Sequence, residues 1–517
     1  MRAAAFTMLA LCAAASAATA QVGSRLWRAE ERIILTDFRM IRGVAVSDAG
    51  LFAATDHGVI IYDTRSRRWL PPLTTTDGFP SVPIRSALAD PADHSAWFGT
   101  DMGVIHYLPI LRQLETVDLG APAERLAFDA SDPFRGLYVR AGGQWLFLPR
   151  SAAVAMPEPS PPAPADRIEG MTVRQALARE PAAQAFSGLP LMDGRLRRYS
   201  FTSVGEDEIH RMLYFGTNGG GLIRYDPATT EFTSLPFGLL SASVGAVVAT
   251  PEGIIVGTGP DAERVGFTQI GYSYQYVEWM EGAVGRGLRF SDVRDLVVWE
   301  GGPWAATDAG VLAIGREGDF LVDGLPSRDA MRLVPSPVGL WVGTSGGLAR
   351  ITPDGVVAHA HEQETPISAL AVAFDSLWVG TPTGLAAAPF EDPIPQLVAG
   401  PPALAGAEVH DLVARNDTLV AAFEDRIAWR TTGTSWQPER SLAAELGAIT
   451  AMTLDSGRVW IGGANGLAYF EFGTRQLRVV AASTDLPGGI VDIDVGDEVI
   501  WVGTTGGVVR FERTALQ

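Results

Sequence analysis

Seven histidines occur in 517 residues, and only His359 and His361 have a spacing suited to joint chemistry. Two residues apart on a strand, they share a face, with Glu362 beside them. A metal site needs a third and fourth ligand at set distances, and none follows nearby, so solvated strand residues are the better reading. Asp492, Asp494 and Asp497 have the rhythm of a calcium loop, but Ile493 and Val495 between them make a strand with polar alternation. Gly216-Thr217-Asn218-Gly219-Gly220 lacks the Lys that follows in a phosphate-binding loop. No nucleophile elbow, HExxH helix or paired catalytic acids emerge. No catalytic residue, metal or cofactor is therefore assigned, although repeat folds can assemble active sites from several units.

The elements that would have to position any such site are given by a recurring phrase. It stands most plainly as Leu340-Trp341-Val342-Gly343-Thr344-Ser345-Gly346-Gly347-Leu348, with near-copies at Trp97, Trp378 and Trp501. Weaker relatives surround Phe52, Tyr138, Tyr214, Ile255, Trp304, Val420 and Trp460, eleven units in all. Successive phrases lie mostly 37 to 49 residues apart. A repeat of that length built from short strands implies an all-β chain, a β-propeller of about eleven four-stranded blades.

Residues 44–80 show how one unit is read. Val44 to Val46 starts a strand, and Asp48-Ala49-Gly50 turns it into Leu51 to Thr55. Asp56-His57-Gly58 leads to the third strand, Val59 to Tyr62, and a fourth runs near Trp69. Along the second strand, alternation aims an aromatic residue such as Trp97 between adjacent blades, while Gly99 or Ala54 two positions on leaves room for a neighbour. The Gly three residues after the Thr, as at Gly103, Gly310 and Gly384, suits positive φ. Trp fills the aromatic position in six units, which makes it core rather than a platform for sugars.

The wording resembles the repeat of two-component regulator propellers, ligand-sensing repeats of periplasmic sensor regions. The residues that carry the resemblance are the Trp-Val-Gly-Thr-x-x-Gly-Leu phrase and the turns Asp77-Gly78-Phe79-Pro80-Ser81 and Asp323-Gly324-Leu325-Pro326-Ser327. It covers most of residues 44–511 and implies a propeller that senses a ligand. Gln517 follows with neither a membrane helix nor a kinase, so signalling within the same chain is not expected. Thr453 to Trp460 also matches the Asp-box of sialidase propellers, but once only, at a turn that explains its Asp and Gly.

The last unit lacks a fourth strand after Val508 to Phe511, whereas Trp27 to Phe38 resembles a fourth strand plus turn. The N-terminal strand is therefore expected to complete the last blade and satisfy its edge. Removing residues 514–517 is expected to be harmless. Eleven blades exceed one ring, so two packed propellers are expected, spanning 21–282 and 283–517, with an intertwined arrangement as the alternative. The Pro-rich and weakly helical insertion 151–198 reads as a tolerated surface loop, or else as a lid or docking arm.

Residues 1–20 form a signal peptide: Arg2, an apolar Phe6 to Ala18, and small residues before Gln21. Cys12 invites a lipoprotein reading, but Leu11 is too bulky for the position before a lipidated Cys. No later stretch is long and apolar enough for a transmembrane segment, so a periplasmic or secreted protein is expected. The 40 basic residues are all Arg, and 59 acidic residues give a net charge of −19. That excludes a general nucleic-acid or anionic-membrane surface. The expected function is a non-catalytic binding protein for a protein, small-molecule or saccharide ligand. A polysaccharide-active lyase or glycosidase and an envelope assembly factor are the alternatives. Recognition is placed on the face that carries the inter-blade turns and the variable turns between second and third strands, at Asp56, His57, Asp101, Asn218 and Asp308.

Overall fold

The computed structural model describes residues 27–516 apart from 29, 81, 151–153, 184–190, 193–196, 282–289, 315–319, 391–393 and 399. The signal segment lies outside the described residues. Among them are ten four-stranded antiparallel sheets, one of five strands, and a short pair, Leu191–Met192 with Arg198–Tyr199. The fold is all-β and of the propeller type, as the repeat predicts. Sheets are numbered here in chain order by their first, inner strands. Those of sheets 1 to 4 are Ile41–Ser47, Ile84–Ala89, Ala123–Asp129 and Phe201–Asp207. Those of sheets 5 to 8 are Val244–Thr250, Val293–Trp299, Ala330–Ser336 and Ala369–Ala373. Those of sheets 9 to 11 are Asp411–Arg415, Ile449–Asp455 and Ile490–Val495.

The recurring phrase is explained by how one sheet receives the next. A Cβ on Gly343 would lie 2.6 Å from Cγ2 of Ile367, which leads into sheet 8. The same hole-and-knob contact joins Gly257 to Val293, Gly380 to Val409 and Gly462 to Ile490. In most of the sheets a β-branched residue at the start of the inner strand thus fills a space that only Gly or Ala leaves open, while Ala123 takes that place against Gly99. The Thr that follows is a turn clamp. Thr344 Oγ1 donates to the Gly347 carbonyl at 2.8 Å and accepts from the Gly346 N–H at 3.2 Å. Gly347 has φ 134°, and a Cβ there would lie 2.1 Å from the His361 carbonyl of the fourth strand. Close approach of that strand, as well as backbone conformation, therefore requires Gly. The six Trp of the phrase are all buried, as expected for core.

Contacts between inner strands run from sheet 5 through sheet 11 and return to sheet 5, where Val244 meets Gly503. A second series joins sheets 4, 1, 2 and 3, with Ile41 seated on Gly216. The expected boundary at 282/283 lies outside the described residues, and sheets 5 and 6 on either side of it touch. The contacts instead change series between sheets 4 and 5, across 236–243. One apolar cluster spans both series, joining Leu51 and Tyr214 to Ile254 and Trp501, with Phe237 from the connection packed on Trp69.

The N-terminal strand Arg32–Leu35 pairs antiparallel with Val508–Phe511 and completes sheet 11. The four-sheet series is thus inserted between the last strand of sheet 11 and the first strand of sheet 5. The C-terminal residues are less dispensable than expected. Leu516 is 2% exposed and packs in a cluster with Ile34, Trp460 and Phe511.

Sheet 3 departs from the four-stranded pattern. Its second strand, Gly136–Ala141, carries Arg140 at the position that is Gly or Ala in the other ten units. No hole forms there for a following sheet. A fifth strand, Arg167–Glu169, pairs instead on the inner side of Ala123–Asp129. The helix Val173–Arg179 packs against sheet 4, with Ala176 buried beside Val204 and Phe215. Thr172 and Gln175 form its capping box. This part of the insertion is structural, which corrects the reading of a merely tolerated surface loop.

Deleting residues 23–38 is expected to cause aggregation or a much lower thermal midpoint, because it unpairs the edge of sheet 11. Deleting 514–517 is expected to cost about 1.5–3 kcal/mol, the usual value for one buried Leu, measured by denaturant unfolding. Gly343→Val is expected to cost about 1–3 kcal/mol by overpacking. Gly473→Val, where no atom lies within 4 Å of the added Cβ, is the near-neutral control in the same assay.

Candidate functional site

The inner strands of sheets 1 to 4 each carry a β-bulge near their start, at Ile41/Gly43, Ile84/Ser86, Ala123/Arg125 and Phe201/Ser203. A bulge leaves one residue out of register and re-aims it. The residues so placed are Arg42, Arg85, Glu124 and Thr202, and Gly43, Ser86, Arg125 and Ser203 form the tier behind them. All eight line a cavity of about 1020 Å³. Its remaining wall comes from the insertion, through Arg167, Glu169, Met171, Arg174 and Arg179. The chain crosses at Gly170, where an added Cβ would be 3.1 Å from the Ala87 carbonyl of sheet 2.

Ion pairs hold most of these arginines. Arg42 meets both oxygens of Asp56 at 2.7 Å, and Arg85 pairs with Asp101. Arg179 on the helix reaches the two oxygens of Glu206 at 2.8 and 2.7 Å, fastening the insertion to sheet 4. Arg167 lies 3.6 Å from Glu169. Arg125 and Arg174 are exposed and have no carboxylate partner among the described residues.

The five residues expected from sequence do not converge. Asp56 and Asp101 stand behind the cavity as partners of Arg42 and Arg85, and His57 is exposed beside Asp56. Asn218 Oδ1 accepts from the Ser200 N–H at 2.6 Å. Asp308 belongs to sheet 6 in the other series, where Ser291 donates to it through N–H and hydroxyl. The cavity-lining arginines were missed, although Arg42 and Arg85 occupy equivalent positions in neighbouring units.

Among solved structures, the extracellular domain of the hybrid two-component system BT4673 from B. thetaiotaomicron is 14% identical, with a TM-score of 0.43. That match covers 91% of this chain and 70% of that one. The extracellular domain of BT3049 from the same organism is 13% identical with a TM-score of 0.45, covering 90% and 61%. Virginiamycin B lyase from Staphylococcus aureus is 14% identical with a TM-score of 0.42, covering 52% and 94%. No family model and no curated protein matches the chain. Likenesses of this extent, to sensors and a lyase alike, carry nothing about ligand or reaction.

Two other clusters have chemical potential. Ser95 Oγ lies 2.7 Å from His106 Nε2, and His106 Nδ1 lies 3.5 Å from Glu115, the order of nucleophile, base and orienting acid. Ser95 is only 1% exposed, however, and the His106 ring stacks on Trp97 at 3.8 Å, so the hydroxyl that would act as nucleophile is closed off from solvent. Burial lowers the His106 pKa, which favours the neutral ring as Ser95's partner. Among the described residues no group of three His, Cys, Asp or Glu could hold a metal ion, and no helix is long and apolar enough to cross a membrane.

The second cluster lines the centre of sheets 5 to 11. Asp295, Asp411 and Asp492 occupy one inner-strand position, and each accepts a backbone N–H from a neighbouring sheet: Leu333 at 2.7 Å, Met452 at 2.9 Å and Val247 at 2.8 Å. Asp494 accepts from Ala249 at 2.7 Å. Asp492 and Asp494 lie on the expected strand, Ile490–Val495, and act there as inter-sheet staples. Burial raises all four pKa values, to about 6 for Asp295 and about 7 for Asp492.

Because these folded values exceed the unfolded one, the four groups stabilise the fold most below about pH 4. That contribution is lost as pH rises towards about 7. Asp492→Asn is expected to flatten the resulting decline in thermal midpoint. Parallel wild-type and variant curves between about pH 5 and 8 would show that Asp492 ionises without cost.

Proposed function

We propose that the protein is an exported, non-catalytic binding protein that takes a small ligand in the cavity of sheets 1 to 4. The observation that carries this reading is the cavity itself, about 1020 Å³, walled by re-aimed residues of four sheets and by the insertion. Its size is at the upper end of small-molecule clefts, which span roughly 300–1,000 Å³. Asp56 and Asp101 act in this reading by fixing Arg42 and Arg85, and the neighbouring turns supply the rim. The N-terminal signal segment supports a periplasmic or secreted location.

Glu124→Trp tests the site, because Glu124 is exposed, lines the cavity and makes a long ion pair, 3.9 Å from Arg140. Small molecules that raise the thermal midpoint of the wild type are expected to lose that effect in the variant, whose unliganded midpoint stays near wild type. Ligands that stabilise both proteins equally would place binding elsewhere.

A further inference from the structure

The cavity is cationic in a protein that is otherwise strongly acidic. Among the described residues six arginines line it against two glutamates, Glu124 and Glu169, whereas the whole chain carries a net charge of −19. Four of the six are engaged by Asp56, Asp101, Glu169 and Glu206. Arg125 and Arg174 have no such partner among the described residues. They come from different parts of the chain, the inner strand of sheet 3 and the inserted helix, yet line one cavity. Among the described residues the only aromatic side chain in the lining is Phe201, so these walls offer little surface for stacking a neutral ring.

We propose that the ligand carries an oxyanion group, a carboxylate, phosphate or sulfate, that is bound by Arg125 and Arg174. This rests on the cavity being the binding site. A planar guanidinium presents paired N–H donors that match such a group in fork geometry. Two arginines without a carboxylate partner among the described residues also draw counter-ions to the cavity. The insertion then has a role beyond filling the gap left by Arg140, because it supplies Arg174.

The test is titration calorimetry with citrate, pyrophosphate, sulfate and a neutral disaccharide, on wild type, Arg125→Gln/Arg174→Gln and Glu124→Trp. At least one anion is expected to bind the wild type, more weakly at higher salt, and to lose about ten- to a hundredfold in affinity in the double variant, as for charge-assisted hydrogen bonds. The preferred probe separates carboxylate from phosphate and sulfate. Glu124→Trp removes a negative charge, so weaker anion binding in that variant reports occlusion and not electrostatics. Disaccharide binding that Glu124→Trp abolishes, with no anion binding, would overturn the oxyanion proposal and leave the site intact. Anion binding unchanged in both variants would overturn the site as well. An absence of binding by every anion would overturn the oxyanion proposal.

Discussion

The structure depends on one steric constraint: a β-branched side chain at the start of an inner strand needs a neighbour without one. Gly343 and Ile367, or Gly503 and Val244, show the contact. Because the hole admits only Gly or Ala, the identity of one residue per unit decides whether another sheet can follow. Ten units satisfy it. Arg140 does not, and there the series of sheets stops, leaving a gap that the chain fills with its own insertion.

Most of the architecture was legible because repetition multiplies a weak signal. The phrase around Trp341 defined strands, turns and buried aromatics, and the missing strand after Phe511 pointed to Arg32–Leu35. The division into series was not legible, since spacing along the chain does not reveal which sheets touch. The connection at 236–243 is no longer than an ordinary inter-sheet turn. Arg140 was a readable signal, visible as a large residue at a small position, but its meaning required knowing what packs on Gly343. The cavity was harder, because bulges that re-aim Arg42 and Arg85 leave no mark in a pattern of alternation.

The same inner-strand position serves opposite ends in the two series. In sheets 6, 9 and 11 it is Asp295, Asp411 and Asp492, each turned to a neighbouring backbone N–H. In sheets 1 to 4 it is Gly43, Ser86, Arg125 and Ser203, and the centre stays open. Carboxylates that tie sheets together consume the space that a ligand would need. Small residues and arginines leave it accessible, while Asp56, Asp101 and Glu206 stand outside the lining as counter-charges.

Completion of sheet 11 by Arg32–Leu35 also sets an order of events during synthesis. Thr36 donates to the Gly506 carbonyl across 470 residues of sequence, so the earliest strand waits for the latest. Sheets 1 to 4 have all their strands long before that and can form while the rest is still being made. The seven-sheet series closes only when Arg32–Leu35 and Val508–Phe511 are both present, so its unpaired edges persist until Phe511 emerges. A chain stalled short of Val508 would hold a finished small assembly and an open large one, a natural substrate for chaperones and proteases.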